Sequence, residues 1–189
     1  MLNRRSLIVS SVAAAFSTAV PVTALAQHAP PSAAQIERSL SAAPRKRLRR
    51  QDRVERHELK RRRDLRIAAP SIEIQAINFE FGSARIPRGE LWKAEEIAIA
   101  MRRILQRNPA EVFLIEGHTD AVGSRYSNQI LSEQRASSLR QILVRRFAVD
   151  GYALETIGYG EDYLLVPTQA PEWRNRRVTL RRVTDFVLR

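Results

Sequence analysis

Hydrophobic residues recur at every second position in two segments of the chain. They do so over residues 71–81, with one slip near Ala76, and over residues 177–183, and residues 153–157 are predicted to form a further strand. This alternation is typical of half-buried β-strands, and the slip is typical of a bulge. Residues 112–115 are apolar throughout, which predicts a strand that is buried on both faces.

Two longer segments carry apolar residues at helical spacing. In residues 90–107 these residues form one face, and Asn108-Pro109 predicts the end of that helix. Residues 117–127 have the character of a loop, and Ser127 is a candidate N-cap for a second helix that runs to about Phe147. The order strand, helix, strand, helix, strand, strand predicts an α/β sandwich with its helices on one face of the sheet.

The second predicted helix carries an arginine on its apolar face. At about 100° per residue, Arg135 falls on the same side as Asn128, Leu131 and Leu139. A buried guanidinium is costly unless it is paired. Two interpretations remain open, namely a structural salt bridge or a pocket residue that accepts a ligand carboxylate.

A fixed negative charge is expected nearby. Asp120 follows the apolar strand, and Asp120 and Glu133 are the candidate partners for a structural salt bridge with Arg135. One acid and one base, both held on rigid elements, also suit a small zwitterionic ligand. For such a ligand the arginine would offer two parallel hydrogen bonds to a carboxylate.

The formal net charge of +12 is distributed unevenly over the 189 residues. Residues 35–67 hold 13 Lys and Arg against 5 Asp and Glu, whereas residues 68–189 hold 17 against 15. The basic character therefore belongs to an N-terminal segment, and the high isoelectric point does not indicate a nucleic-acid-binding fold. The absence of cysteine excludes disulfides, thiolate metal sites and lipid attachment at an N-terminal cysteine.

The first 26 residues have the pattern of an export signal. Arg4 and Arg5 precede an apolar, Ala-rich stretch, and Ala24-Leu25-Ala26 resembles a cleavage site. The Arg pair fits either an ordinary secretory signal or a twin-arginine signal. The rival interpretation is an uncleaved membrane anchor, but the Ser, Thr and Pro content favours cleavage.

Two segments separate this signal from the predicted domain, which spans residues 68–189. Residues 27–44 are rich in Ala, Pro and Ser and are predicted to be disordered. Residues 45–67, termed the basic arm below, contain the (i, i+4) pairs Asp52–Arg56 and Glu58–Arg62, which favour a helix. The arm is either a solvated spacer or an electrostatic contact for anionic lipid, wall polymers or envelope proteins.

Enzymatic chemistry has little support in the sequence. His118 and Asp120 alternate along one edge, but His28 and His57 lie in the N-terminal segments, so a third metal ligand is hard to find. A hydrolase would need a nucleophile or a paired acid and base, and Glu116 and Asp120 have no evident His or Lys partner. We expect no catalytic residue, no metal and no cofactor. A cell-wall hydrolase is the weaker alternative.

Several short motifs occur together between residues 77 and 178. They are Ile77-Asn78-Phe79-Glu80-Phe81, Gly117-His118-Thr119-Asp120, Asn128, Leu131-Ser132, Arg135-Ala136, Gly158-Tyr159-Gly160-Glu161 and Asn175-Arg176-Arg177-Val178. In this order they resemble the OmpA-like C-terminal domain family. The resemblance implies an α+β fold of order β-α-β-α-β-β, with helices packed on one face of a mixed sheet.

The resemblance also implies a function, which is non-covalent binding of peptidoglycan without chemistry. Asp120 would receive the ammonium of diaminopimelate in the stem peptide, and Arg135 would receive the adjacent carboxylate. The other expected groove residues are Thr119, Asn128, Leu131, Phe81, Gly82, Asn175 and Arg176. Gly82 departs from the family, in which Asp or Asn is common at this position, and Trp173 lies in an insert that would pack on or cover the groove.

These expectations place the protein outside the cytoplasm, in the periplasm and associated with the cell wall or outer membrane. The partner expected from the resemblance is peptidoglycan with a diaminopimelate-containing stem. Nucleic acid is not an expected partner of an exported protein. The alternative is an envelope scaffold that acts through the basic arm, with a degenerate OmpA-like domain.

Overall fold

Four β-strands form one mixed sheet at the centre of the molecule. The computed structural model describes residues 30–74, 77, 79 and 83–188. The strands are β1 (Ser71–Ile74), β2 (Phe113–Gly117), β3 (Leu154–Gly158) and β4 (Val178–Arg182). Their order is β1-β4-β2-β3, with β2 and β3 parallel and β4 antiparallel to β1 and β2. The predicted fold class is therefore confirmed.

Two long helices cover one face of the sheet, as predicted. They are α4 (Leu91–Arg107) and α5 (Arg125–Arg145). Their apolar faces pack with strand residues that point to that side, among them Phe113, Ile115 and Leu180, into one core. The N-cap of α5 is Ser124, whose side chain accepts a hydrogen bond from the Ser127 backbone, so this helix begins before the predicted cap.

A helix also forms where the sequence predicts disorder. Helix α1 (Ala33–Leu40) lies within residues 27–44, and Ile36 and Leu40 are buried in the same core as α4. Glu37 forms ion pairs with Arg103 and Arg107 of α4. The prediction of disorder is wrong for this stretch, because packing on α4 stabilises a helix too short to form alone.

The basic arm covers the other face of the sheet. Its helices α2 (Arg56–Leu59) and α3 (Arg63–Ala68) bury Leu59 and Leu65 in a second core. Leu114 of β2 belongs to this core and points away from its neighbours Phe113 and Ile115, because successive strand residues face opposite sides. The sheet is thus covered on both faces, whereas the sequence predicted helices on one face alone.

Residues 1–29 lie outside the described residues, and the predicted export signal with them. Within the part of the chain that the structure describes, none of the helices has the length and the apolar character needed to cross a membrane.

Candidate functional site

Asp120 lies three residues beyond the end of β2 and is held by its backbone. The Thr119 backbone N–H donates to the Gly160 carbonyl (2.9 Å), and Asn128 Nδ2 donates to the Asp120 carbonyl (3.2 Å). The Asp120 side chain accepts a hydrogen bond from Arg176 Nη1 at 2.7 Å. Asp120 is only 8% exposed, and these contacts fix its carboxylate beyond the end of the strand.

Arg135 lies on α5 and is 6% exposed. Its Nε donates to the Ser83 carbonyl at 3.2 Å, and its guanidinium lies 4.8 Å from the centre of the Phe79 ring. Among the described residues, no carboxylate lies within ion-pair distance of this guanidinium, so the predicted salt bridge to Asp120 or Glu133 is not formed there. Burial lowers the pKa of Arg135, the charge of Arg176 lowers it further, and the charge of Asp120 raises it.

Close packing of α5 against two strand ends fixes the position of Arg135. A Cβ atom on Gly117 would lie 2.1 Å from the Ser132 carbonyl oxygen, and one on Gly158 would lie 2.3 Å from the Glu133 nitrogen. The Ser132 hydroxyl also accepts a hydrogen bond from the Gly160 N–H at 2.8 Å. These glycines let the helix approach the sheet closely, and Arg135 lies about one turn further along the same helix.

Three other predicted site residues lie near these two: Thr119 is in the loop that carries Asp120, and Asn128 and Leu131 are on α5 with Arg135. Asn128 is buried, and its Nδ2 donates to Glu161 Oε2 at 2.7 Å as well as to Asp120. Thr119 is buried, and its hydroxyl has no hydrogen-bond partner within the described part of the chain. Leu131 is half-buried on α5. Phe81 and Gly82 lie outside the described residues.

Asn175 and Arg176 are neighbours in the chain, but Asn175 is buried in the loop before β4 and Arg176 is half-exposed beside Asp120. Asn175 is fully buried, and its amide bonds to the backbone of Leu165 and Val166, so it holds the loop before β4. Arg176 reaches Asp120 with a side chain that is 45% exposed. Trp173 lies in the same loop and is 53% exposed.

A buried charged cluster beside the site was missed by the sequence reasoning. Glu116 Oε1 lies 2.7 Å from Arg66 Nε and 2.9 Å from Arg181 Nε. The Arg66 guanidinium also lies 3.8 Å from the centre of the Tyr159 ring, on which His118 stacks. The one available signal was the basic composition around Arg66, but that residue is 50 positions from Glu116, so spacing could not reveal the contact.

This cluster shifts the titration of two of its members. Burial raises the pKa of Glu116, but the neighbouring His118, the hydrogen bond from Arg66 and the charge of Arg181 together lower it to about 2. Burial lowers the pKa of His118 to about 4. His118 is buried in the interior. The described residues contain no group of His, Asp and Glu side chains suited to a metal ion.

Comparison with known proteins identifies the domain. The model of the OmpA family matches residues 78–177. Outer membrane porin F of Pseudomonas aeruginosa is 33% identical over 104 residues, which cover 54% of this chain and 29% of the porin. The chain spans less than a third of the length of the curated relatives that it matches.

Solved structures are similar to the same part of the chain. An outer membrane protein from Borrelia burgdorferi B31 is 26% identical with a TM-score of 0.45, and the match covers 59% of this chain and 84% of that one. The peptidoglycan-associated lipoprotein from Burkholderia pseudomallei is 24% identical with a TM-score of 0.46, and the match covers 61% and 92%. Because the family match extends over more than half of the 189 residues, the chain belongs to the OmpA family.

Proposed function

We propose that this protein binds peptidoglycan non-covalently through the diaminopimelate of its stem peptide. OmpA-like domains associate with peptidoglycan in envelope proteins and act as binding or anchoring domains, not as enzymes. In this proposal Asp120 receives the ammonium group and Arg135 receives the neighbouring carboxylate. The protein thereby anchors or organises the cell envelope.

The observation that carries the proposal is the environment of Arg135. A guanidinium that is buried without a carboxylate partner among the described residues is costly, and a ligand carboxylate would remove that cost. Its Nε is engaged by the Ser83 carbonyl, and the Phe79 ring supports its flat face. The two Nη atoms are then oriented to form paired hydrogen bonds with a carboxylate.

Asp120 supplies the complementary charge at low cost. Its ion pair with Arg176 involves a side chain that is 45% exposed, and such pairs contribute little stability. A ligand ammonium can therefore replace or share this contact. Asn128 and the Thr119 backbone hold the loop, and Asn175 positions Arg176 without facing the ligand.

The proposal predicts selectivity between wall types. Diaminopimelate carries an ammonium and a carboxylate on the same carbon atom, whereas lysine in the same stem position offers the ammonium alone. We expect diaminopimelate-type peptidoglycan to bind about tenfold or more tightly than lysine-type, because a charge-assisted bidentate contact contributes about 1.5–3 kcal/mol. Co-sedimentation of the purified protein with each polymer measures this difference.

Substitution of the two charges tests the site itself. Asp120→Ala and Arg135→Ala should each weaken binding to diaminopimelate-type wall by about tenfold or more, since each leaves a ligand charge unpaired. Arg135→Ala should also abolish the selectivity between the two wall types. Glu95→Ala and Arg145→Ala are charge-matched controls at exposed positions and should bind like the parent.

Circular dichroism of each variant establishes that the fold is retained. Folded Asp120→Ala and Arg135→Ala proteins that pellet with the wall as well as the parent would contradict the proposal.

We also propose that residues 1–26 direct export and are removed. The N-terminal residue of the protein recovered from the periplasm tests this, and an intact Met1 would contradict it.

A further inference from the structure

Packing of the basic arm on the sheet turns its charge outward. Leu59 and Leu65 point into the second core, and most charged side chains of the arm are exposed, whereas Arg66 is buried against Glu116. Residues 45–67 contain 12 Lys and Arg against 4 Asp and Glu. The fold therefore fixes a set of cations on the surface that lies opposite α4 and α5.

Five of the twelve arm cations form an ion pair within the described structure. Asp52 pairs with Arg49, and Asp64 pairs with Arg62. Glu58 accepts a hydrogen bond from the Glu55 backbone at the start of α2. Seven arm cations have no ion pair among the described residues, namely Arg45, Lys46, Arg47, Arg50, Arg53, Arg61 and Arg63.

A cavity of about 440 Å³ opens among these cations. Arg47, Leu48 and Arg53 of the arm line it together with Arg182 of β4 and residues 41–44. Asp185 also lines it and lies 3.2 Å from Arg182 Nη2, so one of the three arginines is neutralised. Arg53 Nε is buried and has no hydrogen-bond acceptor in the described part of the chain.

We propose that this cavity binds the phosphate group of an anionic lipid headgroup and that the surrounding cations hold the arm against the membrane. Guanidinium groups on two sides match the tetrahedral oxygens of a phosphate. Two uncompensated arginines suffice for one phosphate, so the further cations of the arm fit a surface that carries many such groups. None of the residues that line the cavity belongs to the Asp120–Arg135 site, and the inference does not rest on the proposed wall binding.

Vesicle flotation tests this inference with protein purified from cells that express the full chain. The probes are vesicles of phosphatidylcholine alone and vesicles that also contain phosphatidylglycerol. We expect binding to the anionic vesicles only, and we expect Arg47→Gln/Arg53→Gln to weaken it about 100-fold or more, because both the cavity contacts and the general attraction to the surface are lost. The matched pair Arg50→Gln/Arg61→Gln removes the same charge from the arm outside the cavity and should weaken binding about 30-fold at most.

Each alternative outcome overturns a stated part of the inference. Equal losses in the two pairs would show that the cations act diffusely and that the cavity is not a site. Full competition by millimolar inorganic phosphate would assign the cavity to free phosphate instead of lipid. Absence of binding to anionic vesicles would overturn the inference as a whole. Co-sedimentation of the same variants with peptidoglycan should be unchanged, which separates this result from a failure of the proposed function.

Discussion

At the scale of single residues, the candidate site depends on positions that have no side chain. Gly117 ends β2 and Gly158 ends β3; the Ser132 backbone lies against Gly117, and the Glu133 backbone nitrogen lies against Gly158. Any Cβ atom at Gly117 would overlap the Ser132 carbonyl, which belongs to a helix backbone and cannot move alone. The glycines thus set the distance between sheet and helix, and with it the place of Arg135.

Gly117→Ala is therefore expected to damage both the fold and the site. It should lower the free energy of unfolding by about 3 kcal/mol or more, because the overlap can be relieved only by moving α5. Gly89→Ala is the control, since a Cβ atom there meets nothing within 4 Å. Urea unfolding compares the two variants, and a Gly117→Ala protein as stable as the parent would show that α5 can shift freely.

At the scale of elements, the sequence predicted the parts that carry a clear period. Helix α4 was expected over residues 90–107 and begins at Leu91, and β2, β3 and β4 lie within a few residues of their predicted positions. The first strand was predicted to run to Phe81, whereas β1 ends at Ile74. The segments that were misjudged are short. Helix α1 has eight residues, and its Ile36 and Leu40 are only one turn apart, so the pattern is too brief to stand out from the surrounding Ala, Pro and Ser.

The basic arm is an integral layer of the domain and should contribute to its stability. Leu65→Ala removes a side chain that is 1% exposed and should lower the free energy of unfolding by about 2–4 kcal/mol. Ile67→Ala is the matched control, because Ile67 is 52% exposed and the change should cost less than about 0.5 kcal/mol. Thermal and urea unfolding distinguish these outcomes. Equal stability of the two variants would show that the arm contributes no packing.

At the scale of the whole molecule, the buried charged cluster joins the arm, the sheet and the loops. Arg66 comes from α3, Glu116 from β2 and Arg181 from β4. The Tyr159 hydroxyl donates to the Lys60 carbonyl at 2.7 Å, which ties the loop after β3 to the arm. The next residue, Gly160, bonds to the Thr119 backbone, so the arm is connected to the loop that carries Asp120.

Acid should destabilise this arrangement through His118 first. Burial holds the pKa of His118 at about 4 in the folded protein, below the value of 6.5 for an unperturbed histidine. The unfolded chain therefore binds the proton first, so stability is fully present above about pH 6.5 and falls as the pH drops toward 4. The pKa of Glu116, lowered to about 2, adds a further loss below about pH 4.5.

Urea unfolding at two pH values measures this effect. Between about pH 7 and pH 5 the parent should lose about 2 kcal/mol through His118, because one pKa unit corresponds to about 1.4 kcal/mol. His118→Gln should remove most of that pH dependence. His57→Gln removes an exposed histidine of the arm and should leave the dependence unchanged. The same slope in all three proteins would contradict the assignment.

The sequence by itself determined the fold class and the two charges on which the proposed function depends. Periodicity marks the strands and long helices because each element must present one apolar side to a core. Arg135 was recognisable because a charge on an apolar face is costly, and Asp120 because it ends an apolar strand. These properties are local, so the order of residues alone reveals them.

Contacts between distant residues are evident from the three-dimensional fold alone. The fold places Arg176 on Asp120, 56 positions away, and leaves Arg135 without a carboxylate among the described residues. It also places the basic arm over the second face of the sheet. The sequence predicted that β2 is buried on both faces, so some segment had to cover that face. The partner that supplies such cover depends on packing between distant segments, and neither spacing nor composition encodes that choice.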